Sequence, residues 1–436
     1  MMRDEKIETM PRSEMEKLQL DRLKTKAKEV YEKVPFYRKA FKDKGVAPDD
    51  IKTLADITKL PFTSKLDFRD NYPFGLTAVP MEKVVRIHSS SGTTGKPIIA
   101  PYTQGDVDMW AGVMARTLAS AGMHKDDVMQ NAYGYGLFTG GLGFHYGGER
   151  LGAMVIPSST GNTKRQLMMI QDLGTTVITC TPSYAIILYE TAKEMGFDFK
   201  ETKLRLGVCG AEPWSEQLRN EIETKLGISA INIYGLTEVI GPGVSVECEH
   251  KCGMHIWEDH FLAEVINPQT GEHMPPGQMG ELVITTLTKE AQPVIRFRTR
   301  DLVSLNTETC KCGRTMARMS RIMGRSDDML IIKGINVFPS QIESVLLDVE
   351  GVEPQYMIVV DRKEGFKSDE LEIWVEVSED VFSDEVGKME ALEKKLRAEM
   401  ESVLNISPRI KLVEPRTITR TEGKAKRVFD RSELKK

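Results

Sequence analysis

Short runs rich in Val, Ile and Leu recur in the middle of the chain at 152–156, 175–180, 205–209 and 229–233, separated by helix-like stretches at 163–172, 182–195 and 214–226. Strands alternating with helices in this way predict α/β layering. The texture then turns β-rich, with runs at 262–266, 281–286 and 293–297 broken by Asn267-Pro268, Gly271 and Pro275-Pro276-Gly277. It changes again near Gly324. From there the pattern predicts a strand at Met329–Ile332, a helix from Pro339 to about Leu347, strands near 356–361 and 371–377, a charged helix near 384–404 and a last strand near 410–413. That order reads as a small α+β domain of about 110 residues. The expected organisation is therefore a large multi-layer α/β domain over 1–326, with a β-rich part at about 245–323, and a smaller C-terminal domain over 327–436.

Length and composition bound what such a chain can be. At 436 residues it exceeds one ordinary core, which suggests two or three domains. The hydrophobic fraction is 40%, and no apolar run approaches the roughly 20 residues that span a bilayer. The start, Met1-Met2-Arg3-Asp4-Glu5-Lys6, is charged and runs into an amphipathic segment (Met15, Leu18, Leu23, Ala27, Val30), so neither a membrane partner nor a signal peptide is expected and the default location is the cytoplasm. A net charge of −5 gives no reason to expect nucleic-acid binding. Residues 409–436 depart from this balance, with ten Lys/Arg against four Asp/Glu: a solvated tail, or a surface facing a polyphosphate.

The cysteines divide by setting. Cys180 and Cys209 lie in apolar runs and read as core. The others form two tight groups, Cys248-Glu-His-Lys-Cys252-Gly-Met-His255 and Cys310-Lys-Cys312. In a reducing compartment, clustered Cys and His read as a metal site before they read as disulfides. Zn²⁺ takes four N/S ligands in a tetrahedron, and the set expected is Cys248, His255, Cys310 and Cys312, with Cys252 or His250 able to replace one of them. Four protein ligands leave no open position, so the role expected is structural; four reduced, unlinked thiols are the alternative.

The chemistry begins at Ser89-Ser-Ser-Gly-Thr-Thr-Gly-Lys-Pro97. Gly92 and Gly95 let backbone N–H groups approach an anion, the hydroxyls of Ser90, Ser91, Thr93 and Thr94 add donors, and Lys96 adds charge. Only two residues separate the glycines and Pro97 follows the lysine, so this is not a Walker A loop. Alone it could be a surface turn. It is followed in order by Gly210-Ala-Glu-Pro213, Tyr234-Gly-Leu-Thr-Glu238, Arg296-Phe-Arg-Thr-Arg-Asp301, Gly324-Arg-Ser-Asp-Asp-Met-Leu-Ile-Ile-Lys-Gly334 and Arg420-Thr-Glu-Gly-Lys424.

That series resembles the acyl-adenylate-forming superfamily of acyl-CoA synthetases, luciferase and peptide-synthetase adenylation domains, over almost the whole chain. Within it, Asn131-Ala-Tyr-Gly-Tyr-Gly-Leu-Phe-Thr-Gly-Gly-Leu-Gly143, Trp257-Glu-Asp-His-Phe261 and Asp328–Pro339 look like the phenylacetate–CoA ligases. The resemblance implies an ATP-dependent, AMP-forming acid–CoA ligase using ATP, CoA, Mg²⁺ and a small aromatic acid. It implies a homodimer, and a small domain that turns about Asp327 between two half-reactions; the Asp-Asp pair could equally be an ordinary turn. It also implies that Tyr234, beside Gly235, stacks on adenine, that Gly210, Ala211 and Glu212 line the adenine pocket, and that Thr237 meets the α-phosphate. Asp301 would take the ribose hydroxyls and Arg325 the ribose or phosphate, while Lys424 would be the mobile lysine of adenylation.

Some of these assignments also have a reading from the residues alone. Glu238 ends a motif just after a strand, where α/β folds place ligands, and is the natural Mg²⁺ carboxylate; its bland reading is a helix N-terminal acid. Asp301 could instead pair with Arg298 or Arg300. Acid selection is expected in 131–145, where Tyr133, Tyr135 and Phe138 interleave with glycines including Gly136 and Gly141, making aromatic walls with room at the backbone. Two other functions remain open on the sequence: adenylation with transfer to a carrier protein, and a non-catalytic nucleotide-binding homologue.

Overall fold

A computed structural model describes residues 2–90, 97–332, 335–361, 370–382, 386–421 and 425–431. The chain divides into two compact units. The first comprises Met1–Cys180, Glu201–Ala211 and Ser229–Arg321; the second comprises Thr181–Lys200, Glu212–Ile228 and Ile322–Lys436.

The first unit holds helices α1 (Glu5–Glu8), α2 (Arg12–Lys33), α3 (Pro35–Asp43), α4 (Lys65–Asp70), α5 (Gln104–Ser120), α6 (Thr139–Leu151) and α7 (Thr163–Asp172). Its strands are β1 (Val84–Ser89), β2 (Ile99–Thr103), β3 (Val128–Asn131), β4 (Met154–Ile156), β5 (Val177–Cys180), β6 (Leu206–Gly210), β7 (Ser229–Leu236), β8 (Gly241–Glu247), β9 (Met254–Ile256), β10 (Phe261–Ile266), β11 (Gly280–Thr286), β12 (Phe297–Val303), β13 (Leu305–Asn306) and β14 (Arg318–Met319). Nine of these form one sheet in the order β13-β14-β9-β8-β7-β6-β5-β3-β4. From β4 to β7 the pairing is parallel, and from β7 to β13 it is antiparallel. Every residue of β5 and β6 is buried, as the continuous apolar runs require of central parallel strands. The hairpin of β1 and β2 and the antiparallel group β10-β11-β12 stand apart from this sheet.

The β-rich stretch differs from its hydropathy at one place. The run 293–297 is not a strand; β12 begins only at Phe297. Arg296 takes a left-handed φ of +46° and buries its guanidinium on Glu264 at 2.8 Å, which turns the chain before the strand can start.

Residues 131–145, where acid selection is expected, run from the end of β3 into helix α6. A Cβ on Gly143 would lie 2.6 Å from Trp110, and one on Gly147 2.5 Å from Met114, both on α5. Gly143 and Gly147 thus let α5 and α6 approach closely.

The second unit contains α8 (Pro182–Met195), α9 (Glu216–Leu226), β15 (Gly324–Arg325), β16 (Leu330–Ile332), β17 (Ile335–Val337), α10 (Pro339–Leu347), β18 (Val352–Asp361), β19 (Glu370–Val377), α11 (Glu379–Phe382), α12 (Val386–Leu404), β20 (Arg409–Val413) and β21 (Val428–Asp430). Strands β20-β19-β18-β21 form its sheet, over a core that includes Ile342, Leu346, Ile358, Ile373, Leu396 and Met400. Polar links tie the early segments to the late ones. Glu343 accepts from Ser215 N at 3.0 Å, and Arg420 bridges Glu190 of α8 at 2.9 Å and Glu376 of β19 at 2.7 Å. Among the described residues, no helix is long and apolar enough to cross a membrane.

Candidate active site

The parallel strands of the first unit end on the side where their following loops carry the sequence motifs. At the end of β6, a Cβ on Gly210 would fall 2.3 Å from the carbonyl oxygen of Ile233, so only glycine allows β6 and β7 to pair this closely there. Ala211 follows in a left-handed conformation, φ +72°. The hydroxyl of Tyr133 donates to Cys180 O at 2.5 Å and accepts from Gly210 N at 2.9 Å, and its ring stacks on Phe144 with centroids 4.9 Å apart. Tyr133, expected on the wall of the acid pocket, is thus a buried brace holding the ends of β3, β5 and β6 in register.

Strand β7 delivers Tyr234 and Gly235 and then turns into β8 through Thr237 and Glu238. Glu238 therefore sits on a hairpin turn and not at a helix N-terminus. Both Thr237 and Glu238 are buried, and Lys65 Nζ approaches the Glu238 carboxylate at 3.6 Å. Tyr234 donates its hydroxyl to Asp301 Oδ2 at 2.7 Å, joining β7 to β12. The arginines flanking Asp301 go elsewhere: Arg298 reaches Glu281 at 2.7 Å and Arg300 reaches it at 3.4 Å. The ion pair with Arg298 or Arg300 that the sequence allowed for Asp301 is thus made by Glu281.

At the foot of the Ser/Gly/Thr loop, Ser90 N donates to Ile98 O and Ile98 N donates to Ser90 Oγ, each at 3.0 Å, which closes the loop's mouth. Ser91, Gly92, Thr93, Thr94, Gly95 and Lys96 lie outside the described residues. Beyond β3, the Tyr135 hydroxyl accepts from Asn131 Nδ2 at 2.8 Å and lies 3.1 Å from His145 Nδ1, and burial pushes its pKa up to about 12. Gly136 takes φ +107°, half-buried Phe138 stands at the start of α6, and a Cβ on Gly141 would meet Gly134 O at 2.5 Å.

Two lysines near Glu238 carry no sequence signature. Lys65 is one. Lys289 is the other: it is fully buried, its ammonium lies 5.0 Å over the Tyr102 ring, and burial lowers its pKa to about 8 against the pull of Asp106 and Glu238. Tyr102 stacks on Trp110 at 5.3 Å, and His88, at the end of β1, packs edge-on to both. Burial holds the His88 pKa below its ordinary value.

In the second unit, the Glu212 carboxylate accepts from Ser183 N at 2.8 Å and Ala425 N at 2.9 Å. Burial still raises its pKa above the usual carboxylate range, because enclosure outweighs those donors. The nitrogens of Arg325 reach both oxygens of Asp327 at 3.0 Å and Asp328 at 3.3 Å. Lys424 lies outside the described residues.

A separate cluster in the first unit brings one ligand atom each from Cys248, His255, Cys310 and Cys312 within 4.8 Å of one another. His255 Nε2 lies 3.5 Å from Cys312 Sγ, and its buried Nδ1 has no hydrogen-bond partner. A hydrogen bond from Cys248 is the largest influence on the Cys312 thiol, holding it far below its ordinary value; the same bond, with burial, holds Cys248 high. Three sulfurs and an imidazole in this space fit a tetrahedral Zn²⁺. Arg314 backs the cluster, donating to Cys312 Sγ at 3.4 Å and to the buried Glu8 carboxylate at 2.7 Å.

The pattern of AMP-binding enzymes matches residues 10–288, and that of the AMP-binding enzyme C-terminal domain matches 334–432. Phenylacetate–coenzyme A ligase of Thermus thermophilus is 50% identical over 444 residues, covering 99% of both chains. The enzyme of that name from Escherichia coli is 51% identical, covering 97% of this chain and 96% of its own. Among solved structures, 2-hydroxyisobutyryl-CoA ligase in its postadenylation state with R3-HIB-AMP superposes with a TM-score of 0.93 at 30% identity, over 98% of this chain and 92% of that one. The same ligase with 2-HIB-AMP and CoA in its thioesterification state gives a TM-score of 0.72 at 31% identity, over 98% and 91%. With motifs, fold and relatives in agreement over the full length, the chain belongs to the phenylacetate–CoA ligase family of AMP-binding enzymes, which are AMP-forming acid–CoA ligases.

Proposed function

We propose that this ligase activates an arylacetate such as phenylacetate. The observation that carries the reading is half-identity to phenylacetate–CoA ligases along essentially the whole chain, and the aromatic Tyr135 and Phe138 at the mouth of α6 suit an aryl group. A carboxylate is a poor acyl donor because attack on it must expel oxide. In the first half-reaction a carboxylate oxygen bonds to the α-phosphorus of ATP and pyrophosphate leaves. In the second, the CoA sulfur bonds to the acyl carbon and AMP leaves.

On this reading Asp301, held by Tyr234, accepts the ribose hydroxyls, while Gly210, Ala211, Glu212 and the Tyr234 ring receive adenine. Ser90–Lys96 and Thr237 contact phosphate oxygens, and Arg325 contacts ribose or phosphate. Lys424 is the adenylation lysine, and Asp327 is the pivot of a C-terminal domain beginning there. Gly136 and Gly141 stand on the acid side. Glu238, buried beside Lys65, is a carboxylate suited to hold Mg²⁺, which when bound would neutralise charge on the phosphates. Cys248, His255, Cys310 and Cys312 would hold a structural Zn²⁺. The resemblance supports a cytoplasmic homodimer.

The test is a panel of aromatic and aliphatic acids with ATP and free CoA, following AMP and thioester together. Arylacetates should give the highest kcat/KM. A preference for aliphatic acids would overturn the choice of acid, and acid-dependent pyrophosphate exchange without CoA thioester would favour a carrier-protein acceptor.

A further inference from the structure

The Cys/His cluster has a fourth sulfur beside it, that of Cys252. Cys252 stands on a tight turn in which Lys251 takes φ +49° and Gly253 φ +102°, and Lys251 N donates to Cys248 O at 2.9 Å. Arg318 fastens the turn by donating to Cys252 O at 2.6 Å, and the same nitrogen reaches Cys252 Sγ at 3.1 Å. The thiol is exposed, whereas Cys310 is buried, yet their sulfurs lie only 3.4 Å apart. That is closer than the 3.8 Å between Cys248 and Cys310. Cys252 does not belong to the group of four whose ligand atoms lie mutually within 4.8 Å. It is therefore an exposed cysteine, held on its turn by Arg318, with its sulfur in reach of the buried sulfur of Cys310.

We propose that Cys252 is a peroxide-reactive thiol that discharges the zinc centre by forming a disulfide with Cys310. The Cys252 sulfur attacks one oxygen of hydrogen peroxide, the O–O bond breaks, hydroxide leaves, and Cys252 becomes a sulfenic acid. The Cys310 sulfur then attacks that sulfur; the S–S bond forms, the S–O bond breaks, and the hydroxide released takes a proton to become water. Two thiols lose two electrons in total and one peroxide gains them. Cys310 can no longer ligate, so Zn²⁺ is left with three protein ligands and dissociates. This rests on the zinc reading above, and the experiment separates the two.

Purified enzyme is assayed for zinc, treated with hydrogen peroxide in the presence of a zinc-responsive dye, and digested without reductant for mass spectrometry, alongside Cys252→Ser. About one zinc per chain before treatment is expected, and well under one refutes the zinc centre whatever follows. Wild type should then release its zinc as a Cys252–Cys310 linked peptide accumulates, and Cys252→Ser should release zinc at least tenfold more slowly. Release from Cys252→Ser at the wild-type rate, or a link joining Cys310 to Cys248, overturns the proposal. If the protein carries no zinc, the peptide map alone decides: a Cys252–Cys310 link sustains the thiol pairing, and its absence ends it.

Discussion

Replacing Tyr234 by phenylalanine removes one oxygen and leaves the ring in place, which isolates the 2.7 Å hydrogen bond to Asp301. Both residues are buried, and Asp301 accepts as a carboxylate. A hydrogen bond to a charged group contributes about 1.5–3 kcal/mol. At about 1.4 kcal/mol per factor of ten, losing all of it from nucleotide binding would weaken ATP by roughly 10- to 150-fold. In the role proposed for Asp301, ribose hydroxyls donating to the same carboxylate would still hold part of its orientation, so the expected rise in the KM for ATP is about tenfold, at the low end of that range. The ribose is remote from the α-phosphorus, so the bond is equally present in ground and transition states and kcat should change less than threefold, on the order of the noise in such comparisons. The assay is acid-dependent ATP–pyrophosphate exchange at varied ATP, with AMP affinity measured separately by titration. Asp301→Asn serves as the comparison and should raise the KM at least as much. An unchanged KM in Tyr234→Phe refutes the argument. A fall in kcat at constant KM would instead put Tyr234 at the reacting atoms.

Other outcomes follow from packing and charge. Lys289 has a folded pKa of about 8 against an ordinary value of 10.5, so between these the unfolded chain binds more protons and stability should rise with pH through that window. Lys289→Met should abolish the rise and, below pH 8, relieve a burial cost on the order of 3 kcal/mol, as urea unfolding at several pH values would measure. Gly143→Ala should destabilise the fold by about 1–3 kcal/mol through overpacking against Trp110, seen as a lower midpoint of thermal unfolding. Gly112→Ala, in open space on α5, should stabilise the fold by roughly 0.5–1 kcal/mol and raise that midpoint. Arg314→Met leaves the buried Glu8 carboxylate without its guanidinium partner, with only Arg3 N and Asp4 N still donating to it, and should cost about 3–5 kcal/mol by urea unfolding.

The alternation of apolar runs located much of the fold: α7 and α8 occupy 163–172 and 182–195, the stretches read as helices, because their periodicity survives burial. The strand expected at 293–297 failed because the left-handed turn at Arg296 depends on a partner 32 residues earlier, Glu264, which hydropathy does not register. Helix α6 was hidden by its own glycines. Each disfavours a helix by about 1 kcal/mol, and at Gly143 and Gly147 it is the close approach to α5 that requires them. The gathering of Cys248, His255, Cys310 and Cys312 could be anticipated from their spacing, since clustered Cys and His are the residue types a metal site needs. Lys289 could not, since a lysine among polar neighbours in sequence gives no sign of being buried in space. The competition of Glu281 for Arg298 and Arg300 was likewise invisible, being set by the pairing of β11 with β12.

The three-part make-up of the second unit has a consequence for how the protein is born. Its α8 and α9 segments leave the ribosome by residue 228, but the sheet they belong with is complete only after Asp430. At about 5–20 residues per second, those helices wait roughly 10–40 s for their partners. During that interval the bonds that join Glu190 to Arg420 and Ser215 to Glu343 cannot form. The nascent chain is therefore most exposed to chaperones and proteases in its middle, well before its C-terminus emerges.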